Sequence, residues 1–285
     1  MTKLNKNFKF LTNPGHVPLP WERGWGEAFK YKSLFKNISL ITLITLISFI
    51  PPIKKKTSIW MIGDSTMCLY DSSRFPLTGW GMPFAEYFDS TVTVENKAKG
   101  GRSTRTFIAE NRWQPIVDNL SNGDYVLIQF GHNDESESYP DRYTPPEDYR
   151  KNLVKFIIES RDKKAIPVLL TPVSRRKFDS AGNALETHAV YSKVVHEVAD
   201  QYKVSLIDLD QMSIALLQEY GTENSKLLFM QLEPGENPDY PLGIHDNTHF
   251  NAYGARHVAE LVLEGMKNLH LALADRIIKG KFKSK

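Results

Sequence analysis

From residue 57 onward, short continuous apolar runs alternate with longer segments whose apolar residues recur every three or four positions. Continuous runs bounded by turn residues fit strands buried on both faces, while the longer periodicity fits helices with one buried stripe. Strands are predicted at 58–63, 91–96, 125–130, 165–171 and 204–208. Thr91, Val92, Thr93 and Val94 strengthen the second through their β-branched side chains, and Pro172 closes the fourth. Helices are predicted at 82–88, where Phe84, Tyr87 and Phe88 share helical spacing, after the glycine pair at 100–101, and at 147–163 with Leu153, Phe156 and Ile157 buried. Further helices fall at 186–202, 211–220 and 251–270, with 227–245 read as a long irregular loop rich in Pro, Gly and Glu. Strands that alternate with helices imply right-handed crossovers and a parallel sheet covered on both faces. The expected fold class is α/β: a three-layer α/β/α sandwich with a central five-stranded parallel sheet, one domain over 57–275.

Charge divides the chain of 285 residues unevenly. Ten Lys/Arg and two Glu in 1–56 contribute +8 to an overall +3, leaving the remainder at −5. A mildly acidic body without a basic face excludes nucleic acid as a partner, and any polyanionic substrate must be met by local arginines. Residues 1–56 read as an N-terminal extension. A basic flank at 30–36 precedes an apolar run at 38–50, and Pro51-Pro52 ends it. That order marks a signal-peptide-like or anchor segment at about 30–52, although no small-residue cleavage site precedes Lys54. The run is short beside the roughly 20 residues of a membrane span. Export is therefore expected, secreted or to the periplasm or cell surface, with an uncleaved anchor as the alternative and membrane contact only in that case. Residues 276–285 read as a basic tail. The single cysteine, Cys68, allows no internal disulfide or Cys-based metal site and reads as a small buried hydrophobe.

Candidate chemistry collects where strands end. In a parallel sheet every strand's carboxyl end faces one rim, and ligands bind there. Four loops reaching that rim carry Gly63-Asp64-Ser65, Gly100-Gly101-Arg102, Gly131-His132-Asn133-Asp134 and Asp246-Asn247-Thr248-His249. Each has an ordinary explanation taken alone: Ser65 as a helix N-cap, the glycines as turn residues, Asp246 as another cap. Together they hold the parts of acyl transfer, which needs a nucleophile, a base within hydrogen-bond reach and a group fixing the base's tautomer. Ser65 is the candidate nucleophile, His249 the base and Asp246 its orienting acid. The Ser65 and Gly101 backbone N–H groups and the Asn133 amide are the candidate oxyanion hole. No metal or cofactor enters this reading. A metal-dependent phosphoesterase, prompted by His132, His245 and His249, lacks an Asp-x-His on strand one.

In these blocks the chain resembles the SGNH, or GDSL-type, hydrolases, with Thr66 standing where the family's first block has leucine. It is most similar to their rhamnogalacturonan acetylesterase branch, through Gly79-Trp80-Gly81, Gly100-Gly101-Arg102-Ser103-Thr104-Arg105, Phe130-Gly131-His132-Asn133-Asp134 and Asp246-Asn247-Thr248-His249-Phe250-Asn251. The resemblance covers 57–270 and implies a flavodoxin-like fold and a metal-free Ser-His-Asp esterase. It implies removal of acetyl groups from pectic rhamnogalacturonan, and a monomer is expected. A lipid esterase or thioesterase, or an esterase for another acetylated glycan such as xylan, remains the alternative. Polar rim stretches such as Glu135-Ser136-Glu137-Ser138 favour sugar over lipid. Trp80 fits either a sugar-stacking platform or the core. Arg102 and Arg105, with Arg175 and Arg176, fit either uronate carboxylates or ion pairs.

Overall fold

The computed structural model of the chain describes residues 56–280. The signal-like or anchor segment at 30–52 and the last five residues of the basic tail lie outside them.

Five strands form one parallel sheet: β1 (Thr57–Gly63), β2 (Val92–Asn96), β3 (Tyr125–Gln129), β4 (Ile166–Leu170) and β5 (Ser205–Ile207), in the order β2-β1-β3-β4-β5. Alternate side chains of each strand enter opposite faces. Ile59, Met61, Leu127, Val168 and Leu170 pack on one face, with α1 (Gly81–Phe84), α6 (Leu209–Asn224) and α7 (Ala252–Asn268) over them. Ile62, Val126, Ile128 and Leu169 pack on the other, under α2 (Thr104–Ala109), α3 (Gln114–Asn119), α4 (Pro146–Asp162) and α5 (Ala189–Tyr202). Each such side chain, fully buried, is worth about 1.5–3 kcal/mol, and that burial holds the three layers together. The fold is the three-layer sandwich expected. The chain passes from β1 to β2 on one side and returns to β3 on the other, so the order reverses beside β1, where such sheets open a crevice.

Several expectations are corrected. The helix at 82–88 is a single α-turn followed by a 3-10 turn at Ala85–Tyr87. The helix expected at 211–220 begins at Leu209, capped by Asp208, and runs on past Gly221, whose φ of 71° kinks it. α3 was not anticipated, being only six residues with Pro115 in its first turn. The supposed loop at 227–245 contains β6 (Phe229–Leu232) and opens β7 (Ile244–Phe250), which pair antiparallel as a separate two-stranded ribbon. Residues 276–278, placed by the sequence in the tail, are fastened to the domain: Ile277 bridges Phe88, and the Ile278 N–H donates to the Tyr87 carbonyl at 2.8 Å.

Candidate active site

β1 ends on a glycine, Gly63, where a side chain has no room: a Cβ there would lie 2.6 Å from the carbonyl oxygen of Gln129 on the adjacent strand β3. The chain then turns tightly. Met67 and Cys68 N–H groups both donate to the Asp64 carbonyl, and the Asp64 Oδ1 accepts from the Thr66 N–H at 2.9 Å and its hydroxyl at 2.8 Å. Burial raises the Asp64 carboxyl above its ordinary value, with the Thr66 bonds opposing, and its Oδ2 is buried without a partner among the described residues. The turn lifts Ser65 to the rim, and the Tyr70 hydroxyl braces it by donating to the Ser65 carbonyl at 2.9 Å.

The ribbon delivers the base. Met230 pairs with Asp246 and Phe229 with Phe250, so Asn247, Thr248 and His249 bulge out between two adjacent partners. Asp246 Oδ1 gathers that bulge by accepting from the Thr248 and His249 N–H groups at 2.7 and 3.0 Å. Its Oδ2 lies 2.7 Å from His249 Nδ1, and His249 Nε2 lies 2.9 Å from Ser65 Oγ. A carboxylate can only accept, so Nδ1 carries the proton and Nε2 is free to accept from the serine. Burial pushes the Asp246 carboxyl up, but the His249 ring and the two backbone donors outweigh it and hold it below the usual value, as an anion.

Gly101, at φ +78°, takes a left-handed conformation suited to glycine and lines the same cleft as Ser65 and His249. Asn133 is nearly buried; one amide N–H of Nδ2 donates to the Arg102 carbonyl at 3.1 Å, leaving the second free to serve a ligand. Among the described residues no acceptor takes the N–H of Ser65 or Gly101. Ser65, Gly101, Asn133 and His249 line one open cleft of about 760 Å³. Its floor is fixed by Asp134, which accepts from the Thr104 N–H at 2.9 Å and hydroxyl at 2.6 Å and ties the β3 loop to the start of α2. Burial raises the Asp134 carboxyl to about 7. His132 is kept neutral, since burial drives it well below the usual range; its ring meets that of His188 edge-on at 4.2 Å.

The substrate-contact expectations divide. Trp80 is fully buried and its Nε1 donates to Gln129 Oε1 at 2.6 Å, so it belongs to the core and not to a sugar platform. Gln129 passes the bond to the Thr66 hydroxyl at 2.9 Å. Gly79 and Gly81 flank Trp80 because the nucleophile turn packs against its backbone: a Cβ at Gly79 would stand 2.0 Å from the Cys68 carbonyl. Arg102 lines the cleft, but its Nε is paired with Glu110 at 3.0 Å. Arg105 does not line it; its guanidinium donates to the Pro140 carbonyl at 2.6 Å. Arg175 lines the cleft while bonded to Glu135 and to the Thr248 hydroxyl, and Arg176 is spent on Ser225, Asn247 and Thr222. Arg142, Lys99 and Arg74, which also line the cleft, were missed as contacts. They lie in rim loops with no local pattern, and only the local arginine requirement of an acidic body pointed towards them.

Residues 61–257 match the model of the GDSL-like Lipase/Acylhydrolase family. The chain is 41% identical over 225 residues to the rhamnogalacturonan acetylesterase RhgT of Bacillus subtilis strain 168, covering 79% of this chain and 96% of that protein. It is 38% identical over 222 residues to the probable rhamnogalacturonan acetylesterase YesY of the same organism, covering 78% and 97%. The crystal structure of YxiM from Bacillus subtilis superposes with a TM-score of 0.66 at 28% identity, over 78% of this chain and 58% of that one.

Proposed function

Because the chain belongs to the GDSL-like lipase/acylhydrolase family, we propose that it is a carbohydrate acetylesterase working through Ser65, His249 and Asp246, with acetylated rhamnogalacturonan as the polymer. The observation that carries the mechanism is the unbroken contact from Ser65 Oγ through the His249 ring to Asp246, 2.9 and 2.7 Å, on the floor of an open polar cleft. The two Bacillus acetylesterases, similar over nearly their whole lengths, support the substrate.

In this reading Ser65 Oγ attacks the acetyl carbonyl carbon while its proton passes to His249 Nε2. The imidazolium so formed is stabilised by Asp246, held anionic for that purpose. Charge developing on the carbonyl oxygen meets the N–H groups of Ser65 and Gly101 and the Asn133 amide; such a donor is worth roughly 10²–10³ in kcat. His249 then gives its proton to the departing sugar oxygen, which leaves as a hydroxyl. A water, deprotonated by the same nitrogen, then attacks the acetyl-serine carbonyl, and as the bond to Ser65 Oγ breaks His249 returns that proton to Oγ and acetate leaves. Substrate polymers of this size are met outside the cell, in keeping with the export signal expected at 30–52.

Two measurements test the reading. Ser65→Ala should abolish hydrolysis of p-nitrophenyl acetate with an unchanged thermal melt; near-normal turnover would sink the serine mechanism. Acetate release should be faster from acetylated rhamnogalacturonan than from acetylated xylan or a short-chain lipid ester, and a clear preference for xylan would overturn the polymer assignment.

A further inference from the structure

The cleft carries five basic side chains, Arg74, Lys99, Arg102, Arg142 and Arg175, against Asp71 alone on the acidic side. This stands out on a body whose charge from residue 57 onward is −5. Two of the five are neutralised in place, Arg102 by Glu110 at 3.0 Å and Arg175 by Glu135 at 3.1 Å. Arg74, Lys99 and Arg142 form no ion pair among the described residues.

Arg142 differs from the other two. Its guanidinium lies 4.0 Å above the Tyr139 ring, and its Nε is buried with no hydrogen-bond acceptor among the described residues. A guanidinium held against a ring is positioned without using up its N–H donors, and its planar fork matches a carboxylate bidentately. A buried donor left without an acceptor is costly unless a ligand supplies one. The position is also telling, since a Cβ on Gly101 would stand 3.9 Å from Arg142 Nη1, so the guanidinium borders the candidate oxyanion hole. On the same cleft Arg74 lies 5.3 Å from the centroid of Tyr70, the ring whose hydroxyl braces Ser65. A sugar acetylated on its ring and carrying a carboxylate across that ring would place acyl group and acid within one residue's width.

We infer that Arg142, mounted on Tyr139, is the specificity-determining residue that binds a uronate carboxylate beside the scissile acetyl ester, with Lys99 and Arg74 adding to the field. The inference rests on the carbohydrate acetylesterase reading and names the group that selects its substrate.

The test compares an acetylated, uronate-containing pectic oligosaccharide with the same material after its carboxyls are reduced to neutral alcohols. Wild-type kcat/KM should fall on the order of 10- to 100-fold on carboxyl reduction, the range for hydrogen bonds to a charged group, mainly through KM. Arg142→Gln should lose a similar factor on the acidic substrate and close the gap between the two. Arg142→Lys, which keeps the charge without the fork, should restore only part of it, and Lys99→Gln should cost less. Added salt should shrink the wild-type gap. Thermal melts of each variant verify folding. Equal wild-type turnover of both substrates would overturn the inference, as would an Arg142→Gln variant that loses both alike or keeps the gap. Either result leaves the acetylesterase reading standing. Failure to release acetate from either substrate, with p-nitrophenyl acetate still hydrolysed, would instead overturn the carbohydrate reading and the inference with it.

Discussion

Trp80→Phe tests where the aromatic residue between two glycines does its work. The substitution keeps a ring beside Phe84, now 5.4 Å between centroids, but removes the indole N–H that Gln129 Oε1 accepts at 2.6 Å. An acceptor left unsatisfied in the interior costs about 1–3 kcal/mol. The lost five-membered ring adds a void, a fraction of the 3–5 kcal/mol of a full Trp→Ala change, about 1 kcal/mol. The combined loss is about 2–4 kcal/mol, or roughly 4–16 °C in Tm for a domain of this size. The assay is a thermal melt followed by circular dichroism, paired with acetate release from the polymer. Because Gln129 continues to Thr66 and Thr66 to Asp64, a modest fall in kcat should accompany the lower Tm while KM for polymer holds. Replacing Gln129 by Met in the same chain should recover part of the loss, since both ends of the bond are then gone. A raised KM with an unmoved Tm would refute the reasoning and return Trp80 to the role of sugar platform.

Two further outcomes follow from the site. Asp246→Asn should lower kcat on p-nitrophenyl acetate by on the order of 10⁴, because an amide at Oδ2 turns the His249 tautomer the wrong way; a loss under tenfold in stopped assays would remove Asp246 from the mechanism. Asp134 should make the folded protein less stable as pH rises from about 4 to about 7. Its raised carboxyl keeps a proton in the folded state through a window in which the unfolded chain has released it, so that stabilisation is complete at low pH and gone above the folded value. Urea titrations across that window should show Asp134→Asn with a shallower decline, by about 1.4 kcal/mol per pH unit, and an unchanged slope would show that Asp134 holds no such proton.

The five sheet strands and most of the large helices were legible because burial on two faces leaves unbroken apolar runs, as in 125–130. The blocks around Ser65, Gly101 and Asn133 were legible because each sits past the end of a sheet strand, and the Asp246/His249 pair, inside β7, through its Asp-x-x-His spacing alone. The ribbon was not. Six residues of β7, Ile244 to His249, include five polar ones, so its strand pattern is overwritten by chemistry, and its partner β6 is only four residues long. Trp80 was ambiguous because flanking glycines serve a binding loop and a tightly packed backbone equally well. The clue lay elsewhere, in Gln129: a lone polar residue inside a buried strand requires a partner, and Trp80 is it. Arg142 had no signature, since what distinguishes it is that it forms no ion pair among the described residues, a property of space and not of sequence.

The placement of nucleophile and base on different sheets has a consequence for durability. Ser65 follows β1, an interior strand of the five-stranded sheet, while Asp246 and His249 ride on the ribbon. The ribbon is secured to the rest at separate points, among them the Thr78 N–H on the Phe250 carbonyl at 2.9 Å, the Arg176 N–H on the Asn247 carbonyl at 2.8 Å and Arg175 on Thr248. Small units with few fastenings open at lower free energy than the global transition. Phe229, Met230 and Phe250 seat the ribbon in the core, so the rim end that carries Asp246 and His249 is the part free to open first. Such an opening would part the imidazole from the serine while the sheet stays intact, and activity lost on warming below the global melt is the expected sign of it.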